Sequence, residues 1–261
     1  MDTDAVNRLH SFAEPPFDKY RRNVYSQNGE DGVIEELLGR IGVCLGNGRT
    51  WAFESGAGDG KHPSNTYNLA TKHGFTVVAV EGHPDRFAEL VDTATELVGT
   101  GRGKIVPVNE WLSATTDTAG GILRRQGAPE DLAVMSIDID GFDYRVWENL
   151  SDDFRPAIVV IEIDSSVPPG VAGVHGDMID ATPRGGTTFT SMLELGTRKG
   201  YVLVAHTGNC IFVRRDLVDR LGVSGINFID PTRLFRWNLV HAGEPSGSGY
   251  IGATNTSPPH T

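Results

Sequence analysis

The chain predicts an α/β fold: a doubly wound, mostly parallel sheet with helices on both faces, closed by a C-terminal antiparallel hairpin. Three observations carry this. Short runs rich in β-branched residues alternate about five times with helical segments, the order that builds a parallel sheet. "LAVMSIDIDG" and "PAIVVIEID" are continuous apolar runs, as strands covered on both faces are. Late in the chain, "YVLVAHTGNCIFVRR" reads as two strands around a Gly-Asn turn.

In order along the chain, residues 1–24 are polar and proline-containing and read as an arm or lid. In "SQNGEDGVIEELLGRIG", Val33, Ile34, Leu37, Leu38 and Ile41 recur at helical spacing, with Gly42 as the stop. "TWAFESGAGDG" is a strand entering a glycine turn, and "SNTYNLATKHG" a helix capped by Ser64 or Asn65 and ended by Gly74. "FTVVAVEGHP" and "KIVPVNEW" are strands, separated by the helix "DRFAELVDTATELVG". "TAGGILRRQG", "FDYRVWENLS" and "TSMLELGTRKG" are helices. Residues 165–188, rich in Gly, Pro and Thr, are too long for a plain connection and read as a substrate loop. One domain is expected over 25–241, with a flexible tail over 242–261.

Composition narrows the function. The 261 residues carry a formal net charge of −11, which disfavours nucleic acid as a partner. No apolar run is long enough to span a membrane, and the N-terminus lacks the pattern of a signal peptide. Two cysteines, Cys44 and Cys210, lie far apart without metal-site spacing, so a cytoplasmic location is expected.

Such sheets bind ligands at the carboxyl ends of their strands, so those residues matter most. The predicted strands end in Glu54, Glu81, Asn109, Asp138 with Asp140, and Glu162 with Asp164. Any single strand-end acid can be a helix cap; acids on four strands together suggest a polar or cationic ligand. The turn after Glu54 has glycines at 56, 58 and 60. A dinucleotide fingerprint needs a glycine where Lys61 stands, and a phosphate loop needs Ser or Thr where His62 stands. An acid ahead of the glycines also repels a pyrophosphate.

Glu54-x-Gly56-x-Gly58-x-Gly60, followed by Glu81 one strand later, resembles the class I S-adenosylmethionine-dependent methyltransferases. "YSQNGEDGVIEELL", "SNTYNL", "SIDIDGFDYRVW" and "VVIEIDSS" extend the likeness, over about residues 24–215, to the FkbM-like and sugar O-methyltransferase branch. The resemblance implies a Rossmann-like, seven-stranded sheet. It implies a cofactor site of Gln27, Glu54, Gly56, Gly58, Asp59, Asn65, Glu81, Asn109 and Asp138, with Glu81 on the ribose hydroxyls. Glu30 and Asp31 fold over the cofactor or simply sit at a helix start. Trp111 is either an adenine contact or core. The implied acceptor is a sugar or oligosaccharide hydroxyl, and the implied assembly a homodimer.

If "SIDID" and "VIEID" are adjacent strands, period two sets Asp138 with Asp140 on one face of the first and Glu162 with Asp164 on one face of the second, so that the carboxylates can converge. Converging carboxylates call for a cation, and Mg²⁺ suits an all-oxygen donor set. In the resembling enzymes, the positions of Asp140 and Glu162 hold a divalent ion. Their third ligand often follows the Glu directly; here that residue is Ile163, which leaves the third position open, with Asp164 one residue later. Methyl transfer to a hydroxyl needs a base, and His206, Asp143 and His62 are the residues to weigh, His206 first. A methyltransferase acting on a phenol or amine would share the cofactor site. A nicotinamide oxidoreductase is disfavoured by Lys61, and a non-catalytic relative would bind neither cofactor nor metal tightly.

Overall fold

A computed structural model describes residues 15–43, 50–175, 186–223 and 230–236. The tail over 242–261, Cys44, most of the 1–24 arm and the middle of the 165–188 loop lie outside the described residues.

The apolar runs form the expected strands: β1 (Trp51–Ser55), β2 (Thr76–Val80), β3 (Lys104–Val108), β4 (Val134–Ile137), β5 (Ile158–Glu162), β6 (Tyr201–His206) and β7 (Asn209–Arg214). They join in one seven-stranded sheet of order β3-β2-β1-β4-β5-β7-β6, with β7 antiparallel to both its neighbours and the other pairings parallel. This is the doubly wound architecture expected of the class I methyltransferases. The chain order reverses between β1 and β4, which opens a crevice beyond their carboxyl ends.

Helices α1 (Glu30–Ile41), α2 (Tyr67–His73) and α3 (Pro84–Val98) cover one face of the sheet, where Leu37, Leu38, Leu69 and Leu90 pack on Ala52, Val77 and Val160. Helices α4 (Thr118–Gln126), α5 (Asp143–Asn149) and α6 (Phe189–Arg198) cover the other, where Ile122, Trp147 and Met192 pack on Phe53, Met135 and Ile161. Burying both faces is the main source of stability, each large apolar side chain contributing about 1.5–3 kcal/mol. Gly42 and Gly74 end α1 and α2 in left-handed geometry, as expected. Among the described residues no helix is long and apolar enough to cross a membrane.

Two details differ from the sequence reading. Helix α2 starts at Tyr67, later than a Ser64 or Asn65 cap would give. The Ser64 hydroxyl does accept the Thr66 and Tyr67 amides, but it also donates to buried Glu54, which draws residues 64–66 toward β1. The hairpin turn is Thr207-Gly208, with Asn209 already in β7.

A polar clasp ties α1 and α2 to the chain entering α1. Glu35 pairs with Arg22 and accepts bonds from Lys72 (2.8 Å), His73 (2.7 Å) and Asn68 (2.8 Å). Burial alone would raise the Glu35 pKa, but the bonds from Lys72, His73 and Asn68 outweigh it and hold it at about 2. A carboxyl depressed in the folded state stabilises above its unfolded value of 4.5, and that contribution disappears as pH falls toward 2. With solvent screening, Glu35→Gln is expected to cost about 1 kcal/mol at neutral pH. Its deficit against wild type should vanish in denaturant melts run at low pH; an equal deficit at every pH would contradict this account.

Candidate functional site

The site grows from the crevice between β1 and β4. Past Ser55 the chain turns through Gly56, Gly58 and Gly60, each with φ between 55° and 76°. At Gly56 a side chain is impossible for a second reason: a Cβ there would lie 1.6 Å from the Asp138 carbonyl oxygen. The glycine turn is thus pressed against the chain leaving β4.

Glu54, at the end of β1, is buried beneath this turn. Its carboxylate accepts bonds from Ser64 Oγ (2.7 Å), Thr66 Oγ1 (2.6 Å) and the Asn65 amide (2.7 Å). Burial still raises its pKa despite those three donors. Glu54 therefore holds the 64–66 loop in position, and the Asn65 side chain reaches on to Ser136 Oγ at 3.0 Å. Asp59 caps its own turn, accepting from the Lys61 and His62 amides.

Glu81, one residue past β2, reaches across to the same turn. One carboxylate oxygen accepts from the Gly58 amide (2.9 Å) and the other from His83 (2.7 Å). Each oxygen keeps acceptor capacity beyond these bonds, which suits hydroxyl donors. Asn109 donates to the Glu81 carbonyl at 2.7 Å, fixing the third strand's exit beside the second. Trp111 is 73% exposed and therefore not core. Its indole lies against Gly82, where a Cβ would come within 2.4 Å of the ring. Gln27 is exposed on the approach to α1. Glu30 and Asp31 are buried there: Glu30 accepts from Thr207 Oγ1 and the Asn28 amide, and Asp31 from the amides of Val24, Tyr25 and Ser26.

Across the crevice stands the acidic group. Asp138, Asp140 and Glu162 each offer an oxygen within 4.8 Å of the others. Burial first, then repulsion from Asp143 on Asp138 and from Asp138 on Glu162, pushes these two carboxyls well above their ordinary range. The strand-face reading of "SIDID" needs correction, because β4 ends at Ile137 and both aspartates lie beyond it. The bend has a clear cause. Asp143, in the first turn of α5, accepts from the amides of Ile139 (2.8 Å) and Gly141 (3.0 Å), pulling the chain into a loop. Asp140 sits in that loop at φ 56°, a conformation Asp tolerates better than most residues.

Asp164 does not join this group. It lies past the end of β5, 4% exposed, with one carboxylate oxygen accepting from the Ser166 amide (2.9 Å) and hydroxyl (2.5 Å). Asp138, assigned from sequence to the cofactor, supplies the third carboxylate of the group.

His206 also departs from its expected role. It is fully buried, stacked on Phe235 at 5.0 Å and edge-on to Phe189. Its Nδ1 accepts the Arg236 amide at 3.0 Å, so Nε2 carries the proton and faces Ser165 Oγ at 3.0 Å. Burial, then the nearby Arg21, pushes its pKa down to about 3. With both nitrogens engaged, His206 is a core histidine and not the base. Asp143 is 2% exposed, and both its oxygens hold the backbone of the acidic loop. Burial raises its pKa to about 6 even so. His62 packs on Tyr25, on the α1 side of the glycine turn.

The sheet thus carries a glycine turn with a second-strand acid on one side of the switch point, and a carboxylate group on the other. No family model matches the chain, and no curated protein sequence is similar to it. Among solved structures, the chain is similar to a SAM-dependent methyltransferase from Aquifex aeolicus, with TM-score 0.42 and 10% identity over 79% of this chain and 95% of that one. It is similar to a SAM-dependent methyltransferase from Geobacter sulfurreducens in complex with S-adenosylhomocysteine, with TM-score 0.38 and 13% identity over 76% and 72%. It is also similar to one from Thiobacillus denitrificans with the same ligand, with TM-score 0.38 and 12% identity over 78% and 73%. Likeness at this level carries nothing about chemistry, so the functional reading rests on the residues themselves.

Proposed function

We propose that the chain is an S-adenosylmethionine-dependent O-methyltransferase, assisted by a divalent cation and acting on a hydroxyl of a sugar or oligosaccharide. One observation carries this reading: the turn-and-Glu81 site meets the Asp138, Asp140 and Glu162 group directly, through the contact of Gly56 with Asp138. A methyl donor and a hydroxyl acceptor need that adjacency for in-line transfer.

The residues fit both groups. Three carboxylates within reach of one another form a hard oxygen donor set of the kind Mg²⁺ takes, and a bound cation would displace the protons that burial favours on Asp138 and Glu162. When bound, the cation supplies Lewis acidity that eases loss of a hydroxyl proton, and S-adenosylmethionine supplies an electrophilic methyl group. The chain's own residues do the rest. Glu81 accepts from vicinal ribose hydroxyls, Glu54 and Asn65 hold the 64–66 loop, and Asp143 fixes the curvature that brings Asp140 back to Glu162. The sugar acceptor rests on the likeness of "SIDIDGFDYRVW" and "VVIEIDSS" to sugar O-methyltransferases. Its most specific form is the 1-hydroxyl of a methylated mannoside, as in mycobacterial polysaccharide synthesis. A homodimer and a cytoplasmic location belong to the same reading.

Calorimetry with S-adenosylhomocysteine, with and without Mg²⁺, tests it; binding in neither condition would sink the proposal. Glu81→Ala is expected to weaken S-adenosylhomocysteine about 10- to 100-fold, the worth of charge-assisted bonds to two hydroxyls. An unchanged dissociation constant would remove Glu81 from the ribose site.

A further inference from the structure

His206 and Asp143 are committed elsewhere and His62 packs on Tyr25, so the proposed reaction has no assigned base. We infer that His175 is that base, a role that rests on the reading above. His175 lies on the stretch after β5, which is pinned to the start of α6. The Gly173 amide donates to Ser191 Oγ at 2.9 Å and Thr188 Oγ1 at 3.1 Å, and the Thr188 amide returns a bond to the Gly173 carbonyl at 2.9 Å. The half-buried imidazole then folds onto the acidic loop, edge-on to Phe142 with centroids 4.8 Å apart and ring planes at 75°. Its Nε2–Cδ2 edge faces Gly141: a Cβ on that glycine would come within 3.2 Å of both atoms. Gly141, at φ 146° and without a side chain, makes the approach possible beside Asp140. Among the described residues neither ring nitrogen has a hydrogen-bond partner, in contrast to His206.

His175 lies against Gly141, the residue after Asp140, and is not one of the carboxylate groups within 4.8 Å of one another. That is where a base belongs. A base that takes the acceptor proton would stand within hydrogen-bond reach of the acceptor hydroxyl and outside the residues that would hold the cation. In the step, the acceptor O–H bond breaks and its proton passes to Nε2. The oxygen bonds to the sulfonium methyl, the C–S electron pair stays on sulfur, and the imidazolium releases its proton to solvent. Phe142, 43% exposed, holds the ring edge-on and offers an apolar face beside the acceptor.

The test uses 4-nitrocatechol, a vicinal dihydroxy chromophore whose visible band reports its ionisation, added to the full chain with Mg²⁺ and S-adenosylhomocysteine at neutral pH. Wild type is expected to bind it in the deprotonated form. His175→Ala and His175→Gln should bind it about tenfold more weakly and with the band of the protonated form, as loss of a proton acceptor requires. Added imidazole should restore the deprotonated band in His175→Ala, which a purely structural role would not allow. If both variants match wild type in affinity and band, His175 is not the base. If wild type binds S-adenosylhomocysteine but not the catechol, the cation-and-diol reading fails, and the inference with it.

Discussion

Gly56→Ala is expected to abolish cofactor binding and to destabilise the fold by about 3–5 kcal/mol, among the largest single effects in the chain. Two independent costs combine. Residue 56 has φ 68°, where a Cβ is strained. The added carbon would also sit 1.6 Å from the Asp138 carbonyl, a backbone atom that cannot rotate away. Relief requires parting the glycine turn from the acidic loop, which separates the two halves of the site. Gly58→Ala is the informative comparison, because φ there is 55° but no atom lies within 4 Å of its Cβ. It should lose only the conformational term, about 1–2 kcal/mol. Thermal melts of the two variants decide the matter: equal losses would mean that the contact with Asp138 is unimportant.

The second large effect is electrostatic. Asp138 and Glu162 are raised above their unfolded values, so between those limits the folded state binds more protons than the unfolded one. Their contribution to stability is therefore fully present below the unfolded carboxyl range. It declines as pH rises through the raised folded values. In EDTA, the melting temperature should fall between about pH 5 and pH 8, and Mg²⁺ should raise it most at the upper end. Glu162→Gln removes the carboxyl that must take up a proton on folding. It should melt a few degrees above wild type in EDTA at pH 8, on the order of 1 kcal/mol, and lose most of the Mg²⁺ response. A variant less stable than wild type in EDTA, or one with an intact Mg²⁺ shift, would contradict the assignment.

The fold was readable in the sequence because its signals are local. "TVVAV", "VMSI" and "IVVIE" are apolar runs of strand length, and Gly42, Gly74 and Gly127 stop their helices where a left-handed residue is needed. The glycine turn and Glu81 were readable for the same reason. What escaped depends on contacts distant in sequence. His206 looked like an available base, but Arg236 and Phe235 close over it from 30 residues away. "SIDID" alternates like a strand, yet Asp143 bends it. The Asp-Gly at 140–141 with an acid two residues later is a turn signal that could have warned of the bend. Asp164 was grouped with Glu162 by alternation that stops where β5 stops. His175 sits in a Gly- and Pro-rich stretch without periodicity, and only the fold carries it to Gly141.

The order of the strands has a consequence for inheritance. Most of the proposed donor half of the site, from Glu54 through Asn109, is one continuous piece of chain. The proposed acceptor half, from Asp138 through His175, is another, and α4 and β4 lie between them. A single genetic crossover within α4 would pass one half on intact while exchanging the other. Gly56 and Asp138 are the seam at which any such hybrid must still fit. Lineages could then change the molecule they modify without rebuilding the part that grips the donor, so long as that seam is kept.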